Sequence, residues 1–113
     1  MHIVCGSRVS IGNNVSITGS SAIVDVDHPY MDVNSAIKIG NRLQFEGNFV
    51  EIGDGSFIGF NSIVLPNVKI GKCVVIGAHS VVNVNIPDFS IAVGNPIKII
   101  KYYDVDKKMW IKV

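Results

Sequence analysis

Little in this chain of 113 residues suits a helix, a membrane span or a disulfide framework. Leu occurs only at Leu43 and Leu65 and Glu only at Glu46 and Glu51, so good helix formers are scarce. Val, Ile, Gly, Asn and Ser are abundant instead, which suits strands and turns. No apolar run approaches the roughly 18 residues of a membrane-spanning helix. Met1-His2-Ile3-Val4-Cys5-Gly6 has no basic segment leading into an apolar one, so no secretory leader is expected. The two cysteines, Cys5 and Cys73, make no framework and read as free thiols in a reducing compartment, which points to the cytoplasm. A formal net charge of +1 leaves no general nucleic-acid footprint. The histidines, His2, His28 and His79, fall on unrelated positions of the repeat described next and do not converge as a zinc site requires, so no metal is expected.

What the chain does have is a period of six. From Glu51 to Val82 an aliphatic residue recurs at every sixth position: Ile52, Ile58, Val64, Ile70, Ile76 and Val82. Gly follows at Gly53, Gly59, Gly71 and Gly77, and four places after each aliphatic residue lies Ser56, Ser62, Val68, Val74, Ser80 or Ile86. A helix repeats near 3.6 and a half-buried strand alternates. A fixed longer period marks a stacked solenoid, here a hexapeptide β-helix. Each hexad makes a short strand and a tight corner. The aliphatic residue fills the prism and the small one sits inward near the corner. Gly lets the backbone turn or approach closely. Three sides close a coil, and coils stack through backbone ladders about 4.8 Å apart. No coil buries its apolar face alone, so stacking supplies the core.

The same pattern opens the chain at Cys5-Gly6, Ile11-Gly12, Ile17 and Ile23, with Val9, Val15, Ser21 and Asp27 as inward companions. It puts Cys5 and Asp27 inward and Cys73 outward. A carboxylate at an inward position stops the repeat, so the regular coil is left near Asp25. Asp27-His28-Pro29-Tyr30 then opens an excursion over about residues 28–48, in which Ile39-Gly40 is out of register with Ile52. Pro29 biases His28 towards an extended backbone, and a loop this long is more often functional than idle. The repeat resumes at Phe49. Pro87 marks a last corner, Gly94-Asn95-Pro96 a turn, and Ile97 to Tyr103 an apolar strand. About residues 97–113 are expected to cap the open end of the prism. Nothing precedes the first coil as a cap, so either a neighbouring chain covers that end or the chain is a shortened form. The expectation is one all-β domain, 1–113.

Several segments together resemble the hexapeptide-repeat acyltransferases. These are Ile52-Gly53-Asp54-Gly55-Ser56-Phe57-Ile58-Gly59, Asn61-Ser62-Ile63-Val64-Leu65-Pro66, Ile76-Gly77-Ala78, Ile86-Pro87, Gly94-Asn95-Pro96 and, more specific than any hexad, Asp27-His28-Pro29. Within that family the chain is similar to galactoside and maltose O-acetyltransferases and to sugar O-acetyltransferases of surface-polysaccharide gene clusters. The resemblance covers nearly the whole chain. It implies a left-handed parallel β-helix, an exception to the right-handed crossover preference. It also implies a homotrimer, acetyl-CoA in a groove between adjacent prisms, a small-molecule or saccharide acceptor, and active sites completed by two subunits.

Residue by residue, His28 matches the family's catalytic histidine. An imidazole that is neutral near pH 7 can take the proton of a sugar hydroxyl as it attacks a thioester. With both substrates bound together, proximity does much of the rest and no acyl-enzyme is required. Asp25 and Asp27 are candidates for orienting it. Phe60 holds the position whose backbone N–H faces the developing oxyanion; its ring, where relatives carry Ala or Ser, narrows the thioester channel. Ala78 matches the small residue beside the pantetheine arm. Asn83 and Val84 match a Thr-Lys pair on the cofactor, and Val84 lacks the ammonium, so contact there runs through backbone. Lys98 and Lys101 match two basic positions suited to the phosphates of CoA, though strand-edge lysines also discourage edge pairing. Pro96 is placed to flank the adenine, and His79 stands where relatives often have Gly.

The leading expectation is therefore an acetyl-CoA-dependent O-acetyltransferase of bacterial surface-polysaccharide biosynthesis. One rival changes the acceptor to an amino sugar, serine or a xenobiotic, set by the excursion. Another is a non-catalytic, shortened β-helix assembly module, favoured by Phe60 and Val84 and opposed by His28-Pro29.

Overall fold

The computed structural model describes residues Met1–Val113. Strands β1 (His2–Val4), β2 (Arg8–Ile11) and β3 (Ser16–Ile17) form the first coil. Strand β4 (Ala22–Val24), the excursion, β5 (Phe49–Ile52) and β6 (Phe57–Ile58) form the second, and β7 (Ile63–Val64), β8 (Val68–Ile70) and β9 (Val75–Ile76) the third. Strands β10 (Val81–Val82) and β11 (Ser90–Gly94) follow, then β12 (Ile97–Asp104) and β13 (Met109–Lys112). They stack into three sheets: a first face of β1-β4-β7-β10, a second of β2-β5-β8, and a third of β3-β6-β9-β11 extended by β12 and β13. Coil-to-coil pairing is parallel, with Ile23 on Val64, Ile52 on Ile70 and Ile58 on Ile76. The architecture is a left-handed parallel β-helix, a rod of 57 × 26 × 25 Å.

The inward column carries the fold. Ile23, Ile52, Ile58, Val64, Ile70, Ile76 and Val82 are buried, and they pack with Val50, Val68, Val74, Ile86, Ala92 and Ile97 into one core. The small inward residues tie coils together. Ser21 Oγ donates to the Gly59 carbonyl at 2.9 Å, Ser56 Oγ to Gly71 at 2.8 Å and Ser62 Oγ to Gly77 at 3.0 Å. Each hydroxyl also accepts an amide of the next coil, from Ser62, Val74 and Ser80 respectively. No buried side-chain polar atom lacks a partner, as a tightly packed prism requires.

The two reasons for Gly separate cleanly. A Cβ on Gly53 would lie 2.5 Å from the Gly71 carbonyl carbon, and one on Gly59 2.6 Å from the Ala78 amide nitrogen. Those glycines permit close stacking. The left-handed corner comes two residues later, at Asn14, Ser20, Gly55, Asn61, Cys73 and His79, all with positive φ.

Two inward assignments shift. In the ladder Ile3, not Cys5, pairs with Ile23, and Cys5 is exposed. The buried carboxylate is Asp25, at 0% exposure, whereas Asp27 is exposed and bridges Gln44. The first corner takes two residues more than a plain hexad, which displaces the early register. The tail joins the third face as antiparallel strands, with Ile97 in the core and Ile99 packed against it. No helix is long and apolar enough to cross a membrane.

Candidate active site

The excursion leaves the prism at the corner between the first and second faces, after β4, and returns at β5. Its neck is closed by reciprocal backbone bonds between Asp27 and Gln44, at 2.8 and 2.9 Å. Asn48, 8% exposed, pins the base: its Nδ2 donates to the Asp25 carbonyl at 2.9 Å and the Gln44 carbonyl at 3.2 Å.

His28 stands exposed just beyond that neck. Its Nδ1 lies 3.1 Å from the carbonyl oxygen of Arg42. A carbonyl only accepts, so Nδ1 donates, and the neutral ring keeps its lone pair on Nε2. That is the state a general base needs. Neither candidate carboxylate orients the ring. Asp25 Oδ1 accepts the amide of Gly6, and its Oδ2 accepts those of Ser7 and Arg8, at 2.6–2.8 Å, with the Cys5 thiol at 3.7 Å. Burial pushes the Asp25 carboxyl up, but these donors outweigh it and hold it below its ordinary value. Asp25 thus stitches the first corner, and Asp27 meets Asn48 Nδ2 at 3.4 Å.

Phe60 and Ala78 stack on successive coils at the corner between the third and first faces, both exposed. Neither uses its backbone N–H within the chain, so both amides are free to meet a ligand. Phe60 meets His79 edge-on, centroids 6.1 Å apart, and Asn61 Nδ2 lies 3.0 Å from His79 Nδ1. Asn83 and Val84 follow β10, on the corner that carries the excursion. Lys98 and Lys101 are exposed on β12. The exposed turn that holds Pro96 has a cis Asn95–Pro96 bond.

The expected site residues therefore form two groups. His28, Asn83 and Val84 border one edge of the first face; Phe60 and Ala78 border the other, next to the third face with Lys98 and Lys101. The largest surface depression, about 380 Å³, belongs to neither, lying along the second face near Gly12, Gly53, Gly71 and Asp88. Sequence reasoning missed Arg42 and Asn48, which hold the excursion, and Lys112, which pairs with Lys101 across β12 and β13. For Lys112 a signal existed: Asp104, whose Oδ1 accepts the amides of Asp106 and Lys107, marks a turn and hence a hairpin.

The family model described as bacterial transferase hexapeptide (six repeats) matches residues 49–84. The chain is 36% identical over 116 residues to the Escherichia coli K12 protein named "Putative lipopolysaccharide biosynthesis O-acetyl transferase WbbJ", covering 99% of this chain and 59% of that one. It is 41% identical over 101 residues to "Putative acetyltransferase YJL218W" of Saccharomyces cerevisiae, covering 88% and 48%. A galactoside acetyltransferase in complex with coenzyme A superposes with a TM-score of 0.79 at 30% identity, over 98% of this chain and 55% of that chain. A maltose O-acetyltransferase of Clostridium difficile 630 gives 0.65 at 27%, over 92% and 67%. The chain thus spans less than two thirds of the length of these curated relatives. With its six-residue repeat and its parallel β-helix, the chain carries the hexapeptide repeat of this family over residues 49–84 and is similar to the hexapeptide-repeat acyltransferases over nearly its whole length.

Proposed function

We propose that the protein transfers acetyl from acetyl-CoA to a saccharide hydroxyl in bacterial surface-polysaccharide biosynthesis, with His28 as general base. The observation that carries this is the His28 ring, held by Nδ1 on the Arg42 carbonyl with Nε2 free. The acceptor O–H proton passes to Nε2 as its oxygen bonds to the thioester carbonyl carbon. Charge gathers on the carbonyl oxygen, for which the amides of Phe60 and Ala78, unpaired within the chain, are candidate donors. The C–S bond then breaks, the departing sulfur takes the proton from the imidazolium, and the products are an O-acetyl saccharide and the CoA thiol. Lys98 and Lys101 hold CoA phosphates as cations; Asn83 and Val84 meet the cofactor from the opposite wall.

That division into two walls supports a homotrimer with its sites between subunits. Within one chain the base and the thioester wall flank opposite edges of the first face; two copies side by side bring one of each together. The outward rows agree. Ala22, Ile63 and Val81 line the first face, and Phe57, Val75 and Ile91 the third. The second face instead carries Ser10, Glu51 and Lys69 and the Arg8–Glu51 ion pair at 2.8 Å. The rows of the first and third faces are uncharged as far as Ile91, beyond which the tail adds Lys101 and Lys112; the uncharged coil rows suit burial between copies and the charged face suits water. The free thiols of Cys5 and Cys73 and the acetyl-CoA requirement favour a cytoplasmic setting.

The test is the thermal midpoint against acetyl-CoA concentration, with sedimentation to give the assembly mass. A ligand of the folded state raises the midpoint as its concentration grows. A saturable rise in a trimeric protein, followed by thiol release only when saccharide acceptors are added, is the expected result. No shift up to millimolar acetyl-CoA would sink the enzyme reading and favour the assembly module.

A further inference from the structure

We propose that Arg42 is a positioning residue for the acetyl transfer, a clip that holds the His28 imidazole in its working tautomer and direction. The inference rests on the reading of His28 as the base and adds what keeps it there.

The excursion has little else to fix its shape. Between its neck and β5 it contains one short 3₁₀ turn, Ile39–Asn41. Its large apolar side chains Tyr30, Met31, Val33 and Ile37 are exposed rather than packed. Into this segment Arg42 sends a guanidinium that gathers three carbonyls. Nε donates to Ile37 at 2.8 Å, and one Nη donates to Asp32 at 3.0 Å and to Pro29 at 3.4 Å. Its own amide donates to Ile39 at 3.0 Å. The Arg42 carbonyl is the group that takes the Nδ1 proton of His28. One residue therefore ties both flanks of the excursion with its side chain and aims the imidazole with its backbone.

The choice of residue fits the task. Arginine offers five N–H donors in a rigid planar fork and stays charged, so it can satisfy several carbonyls at fixed angles; lysine offers one compact ammonium. Arg42 has no carboxylate partner, the one ion pair of the chain being Arg8–Glu51. Its cation is directed wholly at backbone oxygens. The neck itself does not need Arg42, because Asn48 and the Asp27–Gln44 bonds close it. Removing the side chain should free the outer excursion and leave the prism folded.

The experiment compares wild type, Arg42→Ala, Arg42→Lys and His28→Ala by steady-state kinetics with acetyl-CoA, thermal midpoint, and ¹⁵N spectra of the histidine rings at a pH where they are neutral. His28→Ala assigns the His28 signals. The expected result for Arg42→Ala is a kcat lower by about 10- to 100-fold, the range for a misplaced reacting group. The KM for acetyl-CoA and the thermal midpoint should stay near wild type. The His28 spectrum should change from Nδ1-protonated to mixed tautomers, and Arg42→Lys should restore part of both kcat and tautomer. Two results overturn the clip: wild-type kcat and tautomer in Arg42→Ala while His28→Ala is inactive, or a kcat loss that comes with a collapsed midpoint and an unchanged tautomer. An active His28→Ala overturns the base reading itself, and the spectra then still decide whether Arg42 orients the ring.

Discussion

Lys98 and Lys101 lie on one face of β12 because the ladder with β11 skips Ile100, which stands between Ile99 and Lys101. Val93 pairs with Lys98, Ala92 with Ile99 and Ile91 with Lys101, so Ile100 has no partner on β11. In a regular strand two residues three apart point to opposite faces; the bulge brings both ammonium groups outward. Lys112 then pairs directly with Lys101. Like charges directly opposite are unfavourable, and no carboxylate forms an ion pair with any of the three. A bound polyphosphate would relieve that repulsion. Replacing Lys98 and Lys101 by Ala should weaken acetyl-CoA binding roughly three- to tenfold per lysine, in the net range of a hydrogen bond at an exposed site, and flatten its salt dependence. Deleting Ile100 should leave acetyl-CoA binding in place, since Lys98 and Lys101 then stand two apart on a regular strand and still share a face. Titrations at two ionic strengths read both effects; unaltered affinity on losing the lysines would place the phosphates elsewhere.

The stacked glycines predict a sharp contrast in stability. At Gly53 an added Cβ meets the Gly71 carbonyl carbon at 2.5 Å, and backbone cannot step aside. At Gly40 nothing lies within 4 Å. Gly53→Ala should cost about 1–3 kcal/mol, the usual penalty of overpacking. Gly40→Ala should leave the thermal midpoint within about a degree or raise it slightly, through a less flexible unfolded chain. Equal midpoints for the two variants would mean that the coils have slack at this corner.

Acid should loosen the first coil through Asp25. Burial alone would raise its carboxyl, but the amides of Gly6, Ser7 and Arg8, with the Cys5 thiol, hold it below the ordinary 3.8. A group with a depressed folded pKa stabilises the protein above its unfolded value and loses that contribution as pH falls through the folded value. The wild-type midpoint should therefore drop on acidification below about pH 4, near the unfolded carboxylate value. Asp25→Asn should start lower at neutral pH, by about 1–3 kcal/mol for the weakened bonds, and show a flatter acid limb. Hydrogen exchange should locate the change at the amides of Gly6, Ser7 and Arg8. Parallel acid limbs in the two proteins would assign acid sensitivity to other carboxylates.

Asp25 also shows where the sequence was legible and where it was not. The sixfold spacing from Ile52 to Val82 describes a rigid stack, and each aliphatic residue there is buried. A period carries information only while the coils keep one length. At the first corner, two additional residues and a side-chain carboxylate replace the hexad, so counting in sixes from Ile11 back to Cys5 lands on an exposed residue. The excursion has no period at all. His28-Pro29 was readable as a motif, but its partner is a backbone carbonyl, a group every residue owns, and nothing in the linear order says that Arg42 would supply it. The split of the expected cofactor residues between two corners was implicit in the spacing: Phe60 and Ala78 are eighteen apart, three hexads and one full coil, whereas Asn83 falls one corner further round.

That corner carries the last prediction. Phe60 is 52% exposed, and its ring sits about 3.5 Å from where a Cβ on Gly19 would be, so it spans from the first coil to His79 on the third. The edge-on contact with His79, at 86° between planes, holds the ring from one side. Asn61 holds the imidazole in turn: Nδ2 donates to Nδ1, which leaves the His79 proton on Nε2. In the proposed site this supported ring borders the thioester beside Ala78 and limits the room for the acyl chain. Phe60→Ala should then raise the preference for butyryl-CoA over acetyl-CoA, measured as the ratio of kcat/KM values, by about tenfold or more, since each methylene admitted to an apolar pocket is worth about 1–3 kcal/mol. His79→Ala should move the ratio less, because Phe60 remains and only its lateral support is lost. The backbone amide of Phe60 survives both changes, so acetyl transfer itself should persist. If the ratio stays fixed while acetyl transfer falls, the ring contacts the acceptor rather than the acyl group, and acceptor panels rather than acyl panels become the measure of Phe60.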